Sequence, residues 1–426
     1  MNTRISMIRR VIFCILLFSF VLMDAFTPLH TFLPPAYGGE TSQNKEALIF
    51  IDEFEGGRAY VTETGRYSVL QLNGAWHQMG RQYGALVFKN LQEFHHSIVA
   101  DMEKRGLCKK QISGIYEIYS GYSLPMKELL AGMAETSGLT LEEHILLDGS
   151  FYTLPEFEFM NLPGQNENRA CSGIAVSSPR TADGKLYFAR NWDMTPDAMR
   201  PYLKHLACVV FNPEEGQSFA NIRPIGQVYV ETAFNESGVF VEMNNGGASD
   251  PGINPDGTFV VTKLFDLIHE NGTLEAMVRG LQEAKLDQSS IIQVADKQRA
   301  VSVEIPTFGF RVLEQQNGAL YALNDFARPT PLEWKGWVVE IPDGQYDDRQ
   351  LNLDRLFASP QWQSGVTLDM VKDMMNKKIE DGGAALYMPP FGTVIQVITV
   401  PEDMVVYFRS YGYSNWGKVD LSKLFE

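Results

Sequence analysis

Short stretches that alternate apolar and polar positions lie at both ends of this chain, and stretches with helical spacing lie between them. Residues 47 to 62 read as irregular strand, and Tyr67 to Gly74 as a strand entering a turn. Helical spacing then runs from Gln78 to about Lys104, with further helical stretches around Lys110 to Leu130 and Leu141 to Gly149. Pro155 to Arg169, rich in Pro, Asn and Glu, reads as an exposed linker. After it, an apolar run following Cys171, a Ser/Pro/Asp/Gly cluster and a second run ending in Arg190-Asn191-Trp192-Asp193 predict a β-hairpin. Leu206 to Phe211 and Gln227 to Thr232 are strand candidates, and Val261 to Ala284 predicts helices broken at Asn271-Gly272. Ile291 to Val294, Ala300 to Glu304, Phe308 to Glu314 and Ala319 to Leu323 read as an antiparallel meander. Thr393 to Val400 and Met404 to Arg409 form a last hairpin around Pro401-Glu402-Asp403. Strands, helices and strands again indicate an α+β fold.

The first residues have a different pattern. Arg4, Arg9 and Arg10 precede the apolar run Val11 to Met23, and a Pro/Gly-containing region follows, ending Pro35-Ala36-Tyr37-Gly38-Gly39-Glu40. This is the layout of a secretory signal peptide cut near Ala36 to Gly39. Asp24 interrupts the run short of the roughly 20 apolar residues that a membrane span needs. Cys14 lies inside the run and not at a small-residue lipobox, so a lipoprotein is not expected. The mature chain is therefore expected outside the cytoplasm, periplasmic or secreted. A formal charge of -16 argues against nucleic acid as partner. With 45% hydrophobic residues in 426, the chain has ample material for a large core. Neither His-Glu-x-x-His nor paired Cys-x-x-Cys spacing occurs, and there is no Gly-rich phosphate loop, so neither a metal nor another cofactor is expected. Three cysteines remain after processing. Cys108 and Cys208 either pair or stay as buried thiols, and Cys171 is the odd one.

The hairpin would bring Arg190 and Asp193 back beside Cys171, gathering a thiol, a guanidinium and a carboxylate. This constellation resembles the N-terminal-nucleophile hydrolases, specifically the linear-amide group of choloylglycine hydrolases, penicillin V acylases and acyl-CoA:6-aminopenicillanic acid acyltransferases. In that group a Cys opens a strand, a Gly-containing turn follows, and a second strand ends in Arg-Asn-x-Asp. Here these are Cys171, Asp183-Gly184 and Arg190-Asn191-Trp192-Asp193. The preceding segment is similar to the acyltransferase prosegment, with Gly74, Gly80 and Gly84, then helices, then Ala134-Glu135-Thr136-Ser137-Gly138-Leu139. Taken singly, these glycines are ordinary turn and close-packing positions.

The resemblance implies a four-layer αββα sandwich of mainly antiparallel sheets behind a mostly helical prosegment. It divides the chain into a signal peptide (1–38), a prosegment (39–170) and a hydrolase core (171–426), with an autocatalytic cut between Ala170 and Cys171. Whether the released piece stays bound, and whether identical chains assemble, are left open. Counting from Gly238, the oxyanion-hole Asn falls on Asn245, with Asn244 as the alternative. A second Asn falls on Asn324, and the late Arg on Arg355, with Arg349 as its rival.

These residues suit amide chemistry. A thiol with the usual pKa of about 8.5 needs a base. At a new N-terminus the α-amine, with pKa of about 7.7 to 8.0, would supply one without a histidine. Arg190 would favour the thiolate and Asp193 would hold the amine. The implied function is hydrolysis of a small-molecule N-acyl amide through an S-acyl-enzyme, with an apolar acyl pocket near Trp192 and Phe326. Transfer of the acyl group to an amine, a non-catalytic binding protein of the same fold, and a Cys-His protease using His205 or His269 are the alternatives.

Overall fold

The strands expected on either side of Cys171 form two sheets that face each other. The computed structural model describes residues 48–106, 109–153, 171–246, 253–338, 347–386, 392–412 and 415–425. The smaller sheet holds the hairpin, β4 (Ser172–Val176) and β5 (Tyr187–Met194). β13 (Ala319–Ala322) flanks β4, and β14 (Gly392–Val400), β15 (Val405–Ser410) and β16 (Gly417–Asp420) continue beyond β5. The larger sheet takes, in spatial order, β1 (Ile49–Phe54), β2 (Gly57–Val61), β3 (Ser68–Gly74), β6 (Leu206–Pro213), β7 (Phe219–Pro224), β8 (Thr232–Asn235), β9 (Phe240–Asn245), β10 (Ser290–Ala295), β11 (Ala300–Ile305) and β12 (Arg311–Glu314). Neighbours are antiparallel except β3, which lies parallel to β6. The segment before Cys171 is therefore built into the same sheet as the core that follows it.

All residues of β4 and β5 are buried, so both faces of the smaller sheet are covered. One face meets the larger sheet. Phe188 and Phe240 meet there with ring centroids 4.8 Å apart and planes tilted by 47°. The other face carries Ile174, Ala189 and Ile398 against Leu353, Trp362 and Met375. These come from α9 (Asp348–Ala358), α10 (Pro360–Gln363) and α11 (Leu368–Asn376). On the outer face of the larger sheet, Phe219 packs on Phe265 of α7 (Val260–Glu270) at 5.3 Å, and Phe265 on Trp76 of α1 (Trp76–Leu86) at 5.4 Å. Phe219 and Phe265, fully buried, each contribute about 1.5–3 kcal/mol. The architecture is an α+β, four-layer αββα sandwich.

Several elements depart from the sequence reading. The region from Gln78 to Lys104 is two helices, α1 and α2 (Phe88–Arg105), separated at Val87 with φ -130°. Lys110 to Leu130 likewise divides into α3 (Lys109–Ser120) and α4 (Leu124–Thr136). Gln227 to Val230 is a loop with no strand partner: its main chain is met by the side chains of Asn221 and Asp148, a turn bond to the Pro224 carbonyl and the Val261 carbonyl of the helix over the sheet. The meander breaks at its last strand, since β13 leaves the larger sheet and pairs with β4. Cys208 is a buried free thiol in β6. The signal peptide, Cys108 and the linker Pro155 to Arg169 lie outside the described residues.

The three glycines before the nucleophile act as turn and packing positions. Gly74 has φ +104°, and Gly80 and Gly84 lie where α1 crosses α4. A Cβ on Gly80 would sit 2.3 Å from the carbonyl oxygen of Leu129, a backbone atom that cannot move aside. Gly80→Ala is expected to lower stability by about 2–3 kcal/mol in urea denaturation. Gly106→Ala meets no atom within 4 Å but has φ +67°, and should cost less, about 1 kcal/mol, through backbone strain alone.

Candidate active site

β5 places its residues on two faces by simple alternation. Arg190 and Trp192 point between the sheets, and Asp193 points toward the helices over the smaller sheet. The register Gly173 to Arg190 brings the start of β4 beside the end of β5. Asp193 Oδ2 accepts from the main-chain N–H of Cys171 at 3.3 Å, and its Oδ1 from Thr393 Oγ1 at 2.6 Å. Burial raises the Asp193 carboxyl above its ordinary range, with Arg349 pulling it down.

Arg349 is the late arginine of this cluster. α9 begins at the N-cap Asp347, whose carboxylate accepts from the Arg349 N–H at 2.8 Å, and so the guanidinium is held at the helix start. Its Nη1 donates to the Cys171 carbonyl at 2.8 Å and to Asp193 at 3.3 Å. Its Nη2 donates to Asn324 Oδ1 at 3.3 Å and to Asp347 at 2.7 Å. Arg355, assigned from the sequence, is exposed in the last turn of the same helix. At about 100° per residue the helix has turned about 240° between the two positions, which carries Arg355 to solvent. Of the two arginines weighed from the sequence, Arg349 lies in the cluster and Arg355 does not.

The two asparagines also separate. Phe240, Glu242 and Asn244 share the inward face of β9, where Asn244 Nδ2 lies 3.2 Å from Glu242 Oε1 and 3.4 Å from the Ala322 carbonyl. Asn245 falls one residue off that face. It is half-buried, and its main-chain carbonyl accepts from Asn324 Nδ2 at 3.0 Å. Of the residues expected at the site, Cys171, Arg190, Asp193 and Asn324 are brought together. Asn245 joins through its backbone.

Arg190 is enclosed between the sheets. It donates to Thr232 Oγ1, to the Glu231 carbonyl at 3.3 Å and to the Met243 carbonyl at 2.5 Å. Its Nε is 3.0 Å from Glu242 Oε2, a close ion pair without hydrogen-bond alignment. Burial raises the Glu242 carboxyl to about 7 against the opposing pull of Arg190. Gln293, oriented to satisfy its amide, donates to Glu242 at 2.7 Å and to the Gly173 carbonyl at 3.1 Å. A Cβ on Gly173 would fall 1.7 Å from that amide, so only glycine fits there. Glu242, Thr393, Asp347 and Gln293 were not singled out in the sequence. A charged residue inside the otherwise apolar strand Phe240-Val241-Glu242-Met243 was the available signal.

The thiol itself departs from expectation. Burial pushes Cys171 up to about 12, and Arg190, the second influence, only partly opposes it. The guanidinium charge is already met by Glu242, which limits what it offers the sulfur. Cys171 is thus a neutral thiol near neutral pH. Cys171 also has φ +97°, a left-handed conformation that costs a non-glycine residue about 1–3 kcal/mol. Neither histidine weighed for a Cys-His pair belongs here. His205 stacks on Phe94 at 4.7 Å and His269 lies edge-on to Trp76 at 4.9 Å, on the far side of the larger sheet.

No family model and no curated protein matches the chain. Solved structures do resemble its fold. A mutant of conjugated bile acid hydrolase from Clostridium perfringens shares 13% identity over 59% of this chain and 93% of its own, with a TM-score of 0.42. The Caenorhabditis elegans ortholog of N-acylethanolamine-hydrolyzing acid amidase shares 16% over 54% and 93%, with a TM-score of 0.40. Penicillin V acylase from Agrobacterium tumefaciens shares 11% over 60% and 88%, with a TM-score of 0.37. The four layers with Cys171 opening β4 have the architecture implied by the resemblance to the N-terminal-nucleophile hydrolases.

Arg349→Met leaves Asp193 and Asp347 buried without their cation and is expected to cost about 3–5 kcal/mol in chemical denaturation. Arg355→Met, at an exposed position, should stay within about 0.5 kcal/mol of wild type.

Proposed function

We propose that the protein is an enzyme that hydrolyses linear, non-peptide amides through an S-acyl intermediate on Cys171, after cutting its own chain between Ala170 and Cys171. One observation carries this reading: buried charged groups hold the main-chain atoms of a single residue, Asp193 on the Cys171 nitrogen and Arg349 on its carbonyl. A cysteine serving only as a small core hydrophobe has no use for either. In the uncut chain the nitrogen is a peptide N–H and cannot act as a base. Once cut, it is an amine with pKa of about 7.7 to 8.0, placed against a carboxylate.

In self-cleavage the Cys171 sulfur adds to the Ala170 carbonyl carbon and the peptide C–N bond breaks. The nitrogen takes the thiol proton, and water hydrolyses the thioester to a carboxylate and a free thiol. Losing residue 170 removes the steric basis of the positive φ, so cleavage releases that strain. In turnover the α-amine takes the thiol proton as sulfur attacks the substrate carbonyl. The departing amine then receives that proton, and water clears the acyl group. The neutral, desolvated thiol suits this sequence, because ionisation is coupled to attack and needs no standing thiolate. Asn244, on the inward face of β9, is the side chain we assign to the oxyanion. Asn324 and Arg349 hold the surrounding frame.

The leader-like N-terminus supports a periplasmic or secreted setting. The pairing of β3 with β6 supports retention of the N-terminal piece after cleavage. The two pieces are expected to elute together in size-exclusion chromatography and to separate only in denaturant.

The chain should be tested on a conjugated bile acid, an N-acylethanolamine and penicillin V, with quenching at low pH. A Cys171 peptide heavier by the acyl group supports the reading. A cut chain that neither hydrolyses nor traps any acyl group would leave the binding-protein alternative. An added amine that captures the acyl group in place of water would indicate transfer. Asn244→Ala should lose about 100-fold in kcat. Asn245→Ala, which keeps the backbone carbonyl that Asn324 uses, should lose far less.

A further inference from the structure

The segment before Cys171 reaches the surroundings of the active site through contacts that the reading above leaves unused. The guanidinium of Arg190 rests on the Glu231 carbonyl and Thr232 Oγ1, at the end of the loop that joins β7 to β8. Two side chains from the N-terminal segment hold that loop by its main chain. Tyr83 of α1 accepts from the Gly226 N–H at 2.8 Å. Asp148 of α5 (Leu141–Gly149) accepts from the Val228 N–H at 2.7 Å through Oδ1, and its Oδ2 accepts from the Tyr122 hydroxyl.

Asp148 is fully buried, and no Lys or Arg pairs with it among the described residues. The cation that acts on it is Arg223, which is itself committed to Glu231 at 2.5 Å and Gln227 at 2.9 Å. A carboxylate in such a place is costly to fold around. It is also the one group that meets the Val228 N–H, and Val228 lies three residues before Glu231. Gly226 adds a reason for precision. Its φ is +88°, and a Cβ there would come 2.7 Å from Leu147 of the same helix, so loop and helix are in direct contact.

We propose that Asp148 is a positioning residue for the reaction: by accepting from Val228 it fixes the Gly226 to Glu231 loop, and through Glu231 and Thr232 it sets the Arg190 guanidinium beside Cys171. This inference rests on the reading of Cys171 as nucleophile. It makes the N-terminal piece part of the working site, beyond its role as a spacer removed from the cysteine.

The test compares wild type, Asp148→Ala and Asp148→Asn as full-length chains, on whichever amide of the panel wild type hydrolyses fastest, with thermal midpoints measured alongside. Asn keeps an oxygen for the Val228 N–H and is the rescuing substitution. Asp148→Ala is expected to lower kcat about tenfold or more, with KM within about twofold, because misplacing a catalytic group slows chemistry more than binding. Asp148→Asn should recover most of that loss. An Asp148→Ala chain with kcat unchanged overturns the inference, and so does an Asn variant as slow as the Ala variant. Tyr83→Phe removes only the acceptor of the Gly226 N–H. It carries the test where Asp148→Ala does not fold: a fall in kcat at constant KM supports the inference, and an unchanged kcat overturns it. A wild-type chain that hydrolyses none of the panel defeats the reading of Cys171 itself, whereas an active wild type with indifferent variants defeats only the role of Asp148.

Discussion

The buried guanidinium of Arg349 is the contact on which the site depends. It joins the helical layer, through Asp347, to the ends of β4, β5 and β13, through the Cys171 carbonyl, Asp193 and Asn324. Taking a cation and two carboxylates out of water is expensive, and the expense is met only when each donor finds an acceptor. Here each of the three guanidinium nitrogens finds an acceptor. The geometry of the cysteine is consequently fixed by atoms that cannot shift without exposing a buried charge.

A second charged layer lies on the other face of the smaller sheet, where Arg190 meets Glu242 and approaches Glu231, which is in turn paired with Arg223. The hairpin thus stands between two buried ionic networks, one holding the main chain of Cys171 and one facing its side chain. The division follows from strand alternation alone, since Arg190 and Asp193 are an odd number of residues apart on one strand. A thiol between two compensated networks feels little net field, and its ionisation is governed by desolvation. Under the proposed self-cleavage, proton transfer to the α-amine that the cut would form is the natural source of nucleophilicity.

What the sequence made legible was local. The hairpin from Cys171 to Asp193 has its turn chemistry and its apolar runs in the chain itself, and it forms with the register that the motif requires. Cys171, Asp193 and Asn324 could be singled out because each lies at or just beyond a strand end marked by a change of composition, and Arg190 because it stands three residues before Asp193 inside β5. The placement of Arg349 and Asn244 was harder to read. Choosing Arg349 over Arg355 needs the start of α9, which is set by Asp347 as N-cap, and the pattern around Asn352-Leu353-Asp354 gives no sign of that phase. Choosing Asn244 over Asn245 needs the register of β9 against β10, a contact with residues far along the chain. The switch of β13 into the other sheet, and the loop at Gln227 to Val230, were invisible for the same reason. Both are decided by long-range partners and not by propensity.

The central claim is that Cys171 becomes an N-terminus by the chain's own chemistry. Intact mass and N-terminal sequencing of the purified wild type and of Cys171→Ala test it most directly. The account predicts a chain beginning at Cys171 in the wild type and an uncut Cys171→Ala chain. A folded wild type that remains uncut, or a Cys171→Ala chain cut at the same bond, would contradict it.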